Sequence, residues 1–424
     1  MLKKMVKLLT VVMLMIGTTT SAQAENFAYT AVNGGTVYVE NYLVMDSTAN
    51  VPNVTFKYSI TAGAAQVASG TNARVFAGND ANFVSGTPSI GASTFATNTE
   101  TFTTVQAIET TDTATVSGKQ DPITLQTGKK YARSKFSVNF SQVSFREPGI
   151  YRYLITETAG TFASASNTTP ISTATGISND SDTSRVLDVY ITDKNDGSNT
   201  LQVAGYVLHN SNDAAVVPAT YPSGEPSTKT NGFVNTMSTV DLTISMASTG
   251  NQASRDEFFE VSITISGGTA SQKYDVDLSN ASATTAITGY NPTSHTNPSY
   301  ITLNGSGTAT VSFWLQNGQS ITIQGLAPET AYSVNQTKLT LDTEGYVASA
   351  TISGDTTSGG SAISMNASTT ALSDNGITAD TTIAYTNTKA GSVPTGILTS
   401  TIPGIAIIGI AVCTMYIVAK LKKV

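Results

Sequence analysis

VDLTISM, residues 240–246, sets four apolar side chains against three polar ones with a period of two. Val240, Leu242, Ile244 and Met246 fall on one side of an extended chain, and Asp241, Thr243 and Ser245 on the other. A strand alternates its side chains between two faces, so this spacing predicts a strand with one face in a core. Phe259, Val261, Ile263 and Ile265 repeat the pattern, and Val54, Phe56, Tyr58 and Ile60 alternate in the same way with Thr55, Lys57 and Ser59. Further strands are predicted at 136–140, 151–156, 186–191, 311–314 and 321–323. No stretch of the body keeps an apolar period of 3.6 over a helix length. The expectation is an all-β chain whose sheets pack face to face.

Turn signals separate these runs, among them Glu147-Pro148-Gly149 and Asn317-Gly318. The stretches 66–130, 158–185 and 354–380 are rich in Ser, Thr, Gly, Asn and Asp, and read as long loops or decorated edges. The body is too long for one sandwich. A break at Met237 to Thr239 divides it into a larger part, 25–237, with an insertion around 62–130, and a second part, 238–390.

Both ends read as addresses. Lys3, Lys4 and Lys7 precede an apolar run from Leu8 to Ile16, and Ala22-Gln23-Ala24 has the small-x-small form of a signal-peptidase site. Residues 1–24 are expected to be a signal peptide. At the other end, 391–424 holds an uncharged apolar run, Ile397 to Ala419, followed by Lys420, Lys422 and Lys423. A helix of that length would reach about 35 Å, enough for a hydrocarbon core of roughly 30 Å. Basic residues beside a span stay on the cytoplasmic side. An exported chain held in the membrane by its C-terminal helix is the expectation.

The net charge is −7, and without the three lysines of the leader and the three of the tail it becomes −13. Such a body repels nucleic acid and anionic membrane, which argues against nucleic-acid partners. Cys413, the only cysteine, lies in the apolar run. That leaves the exported part without disulfides, a cysteine nucleophile or cysteine-bound zinc. His209 and His295, the only histidines, stand near no second candidate ligand in sequence and read as surface loop residues. No paired carboxylates, Ser–His–Asp pattern or metal cluster points to an enzyme, and no cofactor is expected.

Five phrases carry a resemblance to a known family. They are VYVENYLVMDSTANVPNVTFKYSI (37–60), FSQVSFREPGIYRYLITETAG (140–160), KTNGFVNT (229–236), GQSITIQGLAPETAYSV (318–334) and TTIAYTNTKAGSVPTG (381–396). In this order, between the two addresses, the chain resembles the backbone pilins of sortase-assembled pili in Gram-positive bacteria, of the streptococcal type. The resemblance implies two tandem immunoglobulin-like (CnaB-type) β-sandwich domains and a place at the cell surface. It implies a pilin-type sortase and identical subunits as partners, with minor pilins and host ligands beside them. Val393-Pro394-Thr395-Gly396 resembles the sorting motif that such sortases read. Proline fixes an extended approach to the bond, and glycine lets the enzyme come close to the backbone. The resemblance then implies cleavage between Thr395 and Gly396, an acyl-enzyme on the sortase cysteine, and transfer of Thr395 to a lysine amine of the next subunit. Lys229 occupies the place of that lysine, with Lys194 and Lys389 as weaker candidates. A cell-wall adhesin anchored as single molecules would use the same signal and is the alternative.

The family also carries internal Lys–Asn isopeptide bonds, formed by a desolvated amine beside an acid. By resemblance the lysine position of the first domain reads Glu40, with Glu157 and Asn235 in the acid and asparagine places; the second reads Met246, Gln336 and Asn387. Without an amine there is no bond to form, so neither domain is expected to be crosslinked at these sites. If Glu40, Glu157 and Asn235 met, one of the two acids would be pushed toward its protonated form.

Overall fold

The computed structural model describes residues 30–391, apart from 32–34, 69–72, 110–114, 163–165, 167–175, 196, 199, 211–228, 282–283, 287–293, 337–344, 355–361, 366–371 and 375. Every regular element among the described residues is a strand. No helix among them is long and apolar enough to cross a membrane. The leader, including Ala22 and Ala24, and the segment 392–424, with Val393 to Gly396 and the apolar run, lie outside the described residues.

The strands up to Met237 and those from Val240 onward form separate sheets. In the first half, one sheet runs in the order Thr30–Ala31, Leu201–Asn210, Ser184–Asp193, Gly149–Glu157, Tyr58–Ala62; Lys229–Thr230 pairs with Leu201–Asn210, and Val75–Ala77 with Gly149–Glu157. The facing sheet runs Ile177–Ser178, Gly232–Met237, Thr36–Asp46, Lys129–Asn139, Ser89–Ile90, with Thr101–Phe102 also on Lys129–Asn139. Val37, Val39, Leu43, Phe136 and Phe233 meet Tyr151, Tyr153, Ile155, Leu187 and Leu208 in the core between them. The second half has a seven-stranded sheet around Val240–Thr249 and a four-stranded one around Phe259–Ser266. Val240, Leu242, Ile244 and Met246 are all buried in its core, as their spacing requires.

In each half the opening and closing strands lie side by side and parallel: 40–44 pairs with 232–236, and 242–249 with 381–388. The halves meet where these pairs are closest in sequence. Thr239 Oγ1 donates to Asp46 Oδ2 at 2.8 Å. Asn53 donates its backbone N–H to Gln272 Oε1 and its Nδ2 to Ala270 O, both at 3.2 Å. Ala49 is fully buried, against Gly325.

Two expectations change and one narrows. The alternating run 54–60 is two strands, Val54–Phe56 and Tyr58–Ala62, because Val54–Phe56 pairs with Ser93–Phe95 while Tyr58–Ala62 joins the main sheet. Thr55, polar in the pattern, is buried there on Thr94. Of the two readings of 66–130, loop or decorated edge, the edge holds: its short strands at 75–77, 89–90 and 101–102 are stitched into the two main sheets. Lastly, both histidines lie in strands, His209 in Leu201–Asn210 and His295 in Ser294–Thr296, where its ring stands 5.7 Å from that of Trp314.

Candidate functional site

Thr36–Asp46 points Val37, Val39, Asn41, Leu43 and Met45 into the core. Glu40 falls on the other face, half-buried, with Lys135 and Gly232 as its register partners. The meeting of Glu40 with Glu157 and Asn235, left open by the sequence, therefore does not occur. A shift of one residue exchanges the two faces of a strand, and Asn41 takes the place instead. Asn235 Nδ2 donates to Asn41 Oδ1 at 2.7 Å and to Glu157 Oε1 at 3.1 Å. Asn235 Oδ1 accepts from the Asp180 N–H at 2.7 Å. Asn41 and Asn235 are fully buried, and Glu157 is nearly so.

Three strands bring this group together: the opening strand carries Asn41, the closing strand Asn235, and the end of Gly149–Glu157 the acid. Burial pushes the Glu157 carboxyl up from its usual range, against the hydrogen bonds of Asn235 and Asn179. Burial, and then the neighbouring Glu157, likewise raise the Tyr58 hydroxyl well above its ordinary value. Behind Asn235, Asp180 Oδ2 accepts from Arg185 Nη2 at 2.6 Å and from the Val234 N–H at 2.6 Å, fixing the closing strand. An acid able to hold a proton thus stands beside a carboxamide, but the group facing that carboxamide is a second amide. Amide nitrogen is not a nucleophile; a lysine amine in the place of Asn41 would be.

In the second half, Asn387 Nδ2 lies 3.1 Å from Met246 Sδ, a weak acceptor. Both are buried, one on the closing and one on the opening strand. Gln336 is buried on the facing sheet. Among the described residues, neither of its amide atoms, nor Asn387 Oδ1, has a hydrogen-bond partner. Here acid and amine are both replaced.

Lys229 begins the short strand Lys229–Thr230, whose register partners are His209 and Leu208. It stands two residues before Asn231, whose carbonyl accepts from the Glu40 N–H at 3.1 Å. Asn231 Nδ2 donates to the Tyr42 hydroxyl, which donates to Asp121 Oδ1 at 2.9 Å; Tyr131 donates to Asp121 Oδ2 at 2.7 Å. Lys194 is exposed, and Lys389 lies over the Tyr346 ring. The chain leaves the second half at Gly391, which exchanges two hydrogen bonds with Asn251, at 2.8 and 2.7 Å. Among the described residues, no group of three His, Cys, Asp or Glu could hold a metal ion.

Asn41, Asp180 and Asp121 were missed in the sequence. Asn41 was within reach: it is the third member of the Val37, Val39 alternation.

Comparison with known families matches residues 39–238 to the Spy0128-like isopeptide containing domain. Residues 240–389 match a family described only as a domain of unknown function, DUF7601. Among curated proteins no match was found. Similar solved structures include the major pilin of Streptococcus pyogenes, at 19% identity, with 85% of this chain and 100% of that one covered and a TM-score of 0.46. Another is the T3.2 major pilin of S. pyogenes, at 16% identity, 85% and 99% coverage and a TM-score of 0.47. The pilus-presented adhesin Spy0125 matches at 19% identity over 49% of this chain and 37% of its own, with a TM-score of 0.24.

Proposed function

We propose that this chain, which carries a Spy0128-like isopeptide containing domain over residues 39–238, is a structural subunit of a cell-surface pilus. It is a sortase substrate and not itself an enzyme. Sortase cleaves between Thr395 and Gly396 and joins Thr395 to Lys229 of the next subunit.

One observation carries this reading. The strand that follows Lys229 starts beside Glu40 and runs, parallel to Thr36–Asp46, toward the contact with the second half. Lys229, three residues before Gly232 and paired with His209, is therefore set back from that contact, beside the middle of the sheets. The closing strand of the second half runs from 381, near that contact, to 388 beside Thr249, and leads to Gly391. The proposed acceptor thus lies on the first half, and the chain leaves the second half on the side away from their contact, so joining the two repeats the molecule head to tail. A heterologous contact of this kind makes filaments when it does not close into a ring.

Tryptic peptides of native surface material test the reading. A branched peptide joining Thr395 to Lys229 is expected, and Lys229→Arg should abolish the high-mass ladder on denaturing gels. Surface material made only of single wall-linked copies would overturn it in favour of a separately anchored adhesin. We further propose that neither half carries a Lys–Asn bond at the sites described above. The intact mass of the processed chain should then show no loss of ammonia.

A further inference from the structure

In the second half the parallel ladder of opening and closing strands ends at Thr249 and Thr388, yet the chain stays attached beyond it. Lys389 donates its N–H to Thr249 O at 2.9 Å, and Gln252 donates its N–H to Lys389 O at 3.1 Å. These two bonds span Gly250 and Asn251, where a regular parallel ladder spans one residue. Gly250 takes up the extra length: its φ is +98°, and an added Cβ would overlap the Lys389 carbonyl oxygen. Beyond this bulge a side chain continues the ladder. Asn251 Oδ1 accepts from the Gly391 N–H at 2.8 Å, and Asn251 Nδ2 donates to Gly391 O at 2.7 Å. The carboxamide stands in for the peptide group of a partner strand. The turn is anchored from below. Ser254 donates its N–H to the Tyr346 hydroxyl at 2.8 Å, and Lys389 Nζ lies 5.2 Å from the centre of the Tyr346 ring. Tyr346 is buried and meets Phe259 edge-on, with ring centroids 5.1 Å apart. One core side chain thus ties the turn and the exiting strand to the same place.

We propose that the turn Gly250–Ser254 is a latch that takes tension where the chain leaves the second half, with Asn251 holding Gly391 and Tyr346 anchoring the turn. The inference rests on the pilus reading above, because tension reaches Gly391 only when Thr395 is joined to another subunit. Pull on Gly391 meets the Asn251 pair first, then the backbone bonds of Lys389, then the ladder from Thr388 back to Thr381. While the pair holds, the strand end cannot peel from the turn, and the rungs behind it stay loaded together. Asn251 is exposed. Exposed bonds at a strand end open locally without unfolding a domain. Its contribution to the resting fold is therefore small, and its effect belongs to the fold under force.

The test holds single molecules of the chain ending at Thr395 at constant force, in two geometries. Handles at 229 and 395 load the latch. Handles at 229 and 378 leave it unloaded, because Thr378 is exposed and precedes the closing strand. In the first geometry Asn251→Ala should shorten the lifetime of the second half about 10-fold, the scale of two ordinary hydrogen bonds. In the second geometry, and in denaturant, the variant should match the native chain. Equal lifetimes of variant and native chain in the first geometry would overturn the inference. So would a shortening of the same size in both geometries, the mark of a residue that only stabilises the fold. Either result leaves the pilus reading standing. Native surface material without a branch at Thr395 would remove that reading, and with it the tension that the latch is there to take.

Discussion

At position 41 an amide stands where an amine would face both a carboxamide and an acid. Asn41 Oδ1 lies 2.7 Å from Asn235 Nδ2, and Glu157 Oε1 lies 3.1 Å from the same nitrogen. Asn41→Lys would place an amine in a site that disfavours its charge, beside an acid that burial keeps ready to hold a proton. The introduced amine is expected to attack: its nitrogen joins Asn235 Cγ and ammonia leaves, a loss that intact mass would detect. Glu157→Ala in that background should restore the full mass. A tie closing so long a loop should add about 5 kcal/mol of stability by the chain-entropy argument for crosslinks. The native site also titrates. Glu157 is raised in the folded state, so the fold binds its proton more tightly than the unfolded chain does. Its contribution is full below the unfolded value of about 4.3 and is lost as pH rises through the folded one. Denaturant midpoints of native and Glu157→Gln chains should therefore diverge across that window, with the variant showing the flatter profile. The alternation of Val37 and Val39 leads to Asn41, but the residue after it blurs the rhythm. Tyr42 is as buried as Asn41, because Tyr131, Ile123 and Phe102 pack over it on the outer face of the sheet. A strand buried on both faces loses the alternation by which its register is read.

At the scale of elements, strands that feed one core face were legible and strands shared between structures were not. Val240–Thr249 and Phe259–Ser266 keep a strict buried–half-buried rhythm almost throughout. The 54–62 run does not, because its first three residues serve a different partner strand from the rest. The polar composition of 66–130 left loops and decorated edges undecided, because pairs of two or three residues suffice to bind it to the sheets and so short a strand has no period to show. The contact between the halves was equally invisible. It depends on Gly325, which has φ of +73° within Ser320–Leu326 and would bring an added Cβ within 2.7 Å of Ala49 Cα. An L-residue there is strained by about 1–3 kcal/mol, and the nearest opposing atom is backbone. Gly325→Val should loosen the contact, with faster proteolysis at 237–240 and a broader distance distribution between labels on the two halves. Unchanged cleavage and distances would show that the contact does not depend on this close approach.

For the whole molecule, the decisive quantity is where tension runs. In a polymer joined from Thr395 to Lys229, pull enters the first half at residue 229 and leaves it at 237, so it travels along Gly232–Met237 alone. The strands from 36 to 210 hang beside the path. In the second half, pull enters at Val240 and leaves beyond Thr388, at opposite ends of two parallel paired strands. The ladder from Leu242–Thr381 to Thr249–Thr388 is then loaded in shear, and its bonds must fail together. No amine stands at Met246 to lock that ladder covalently, and its resistance comes from the paired backbones and the core beneath them. Pulling single molecules between attachment points at 229 and 391 should release the length of the second half in one cooperative event. Attachment at 36 and 391 should give a second event from the first half. Release of the first half under the 229–391 geometry would show that the path leaves the closing strand and loads the sheet around it.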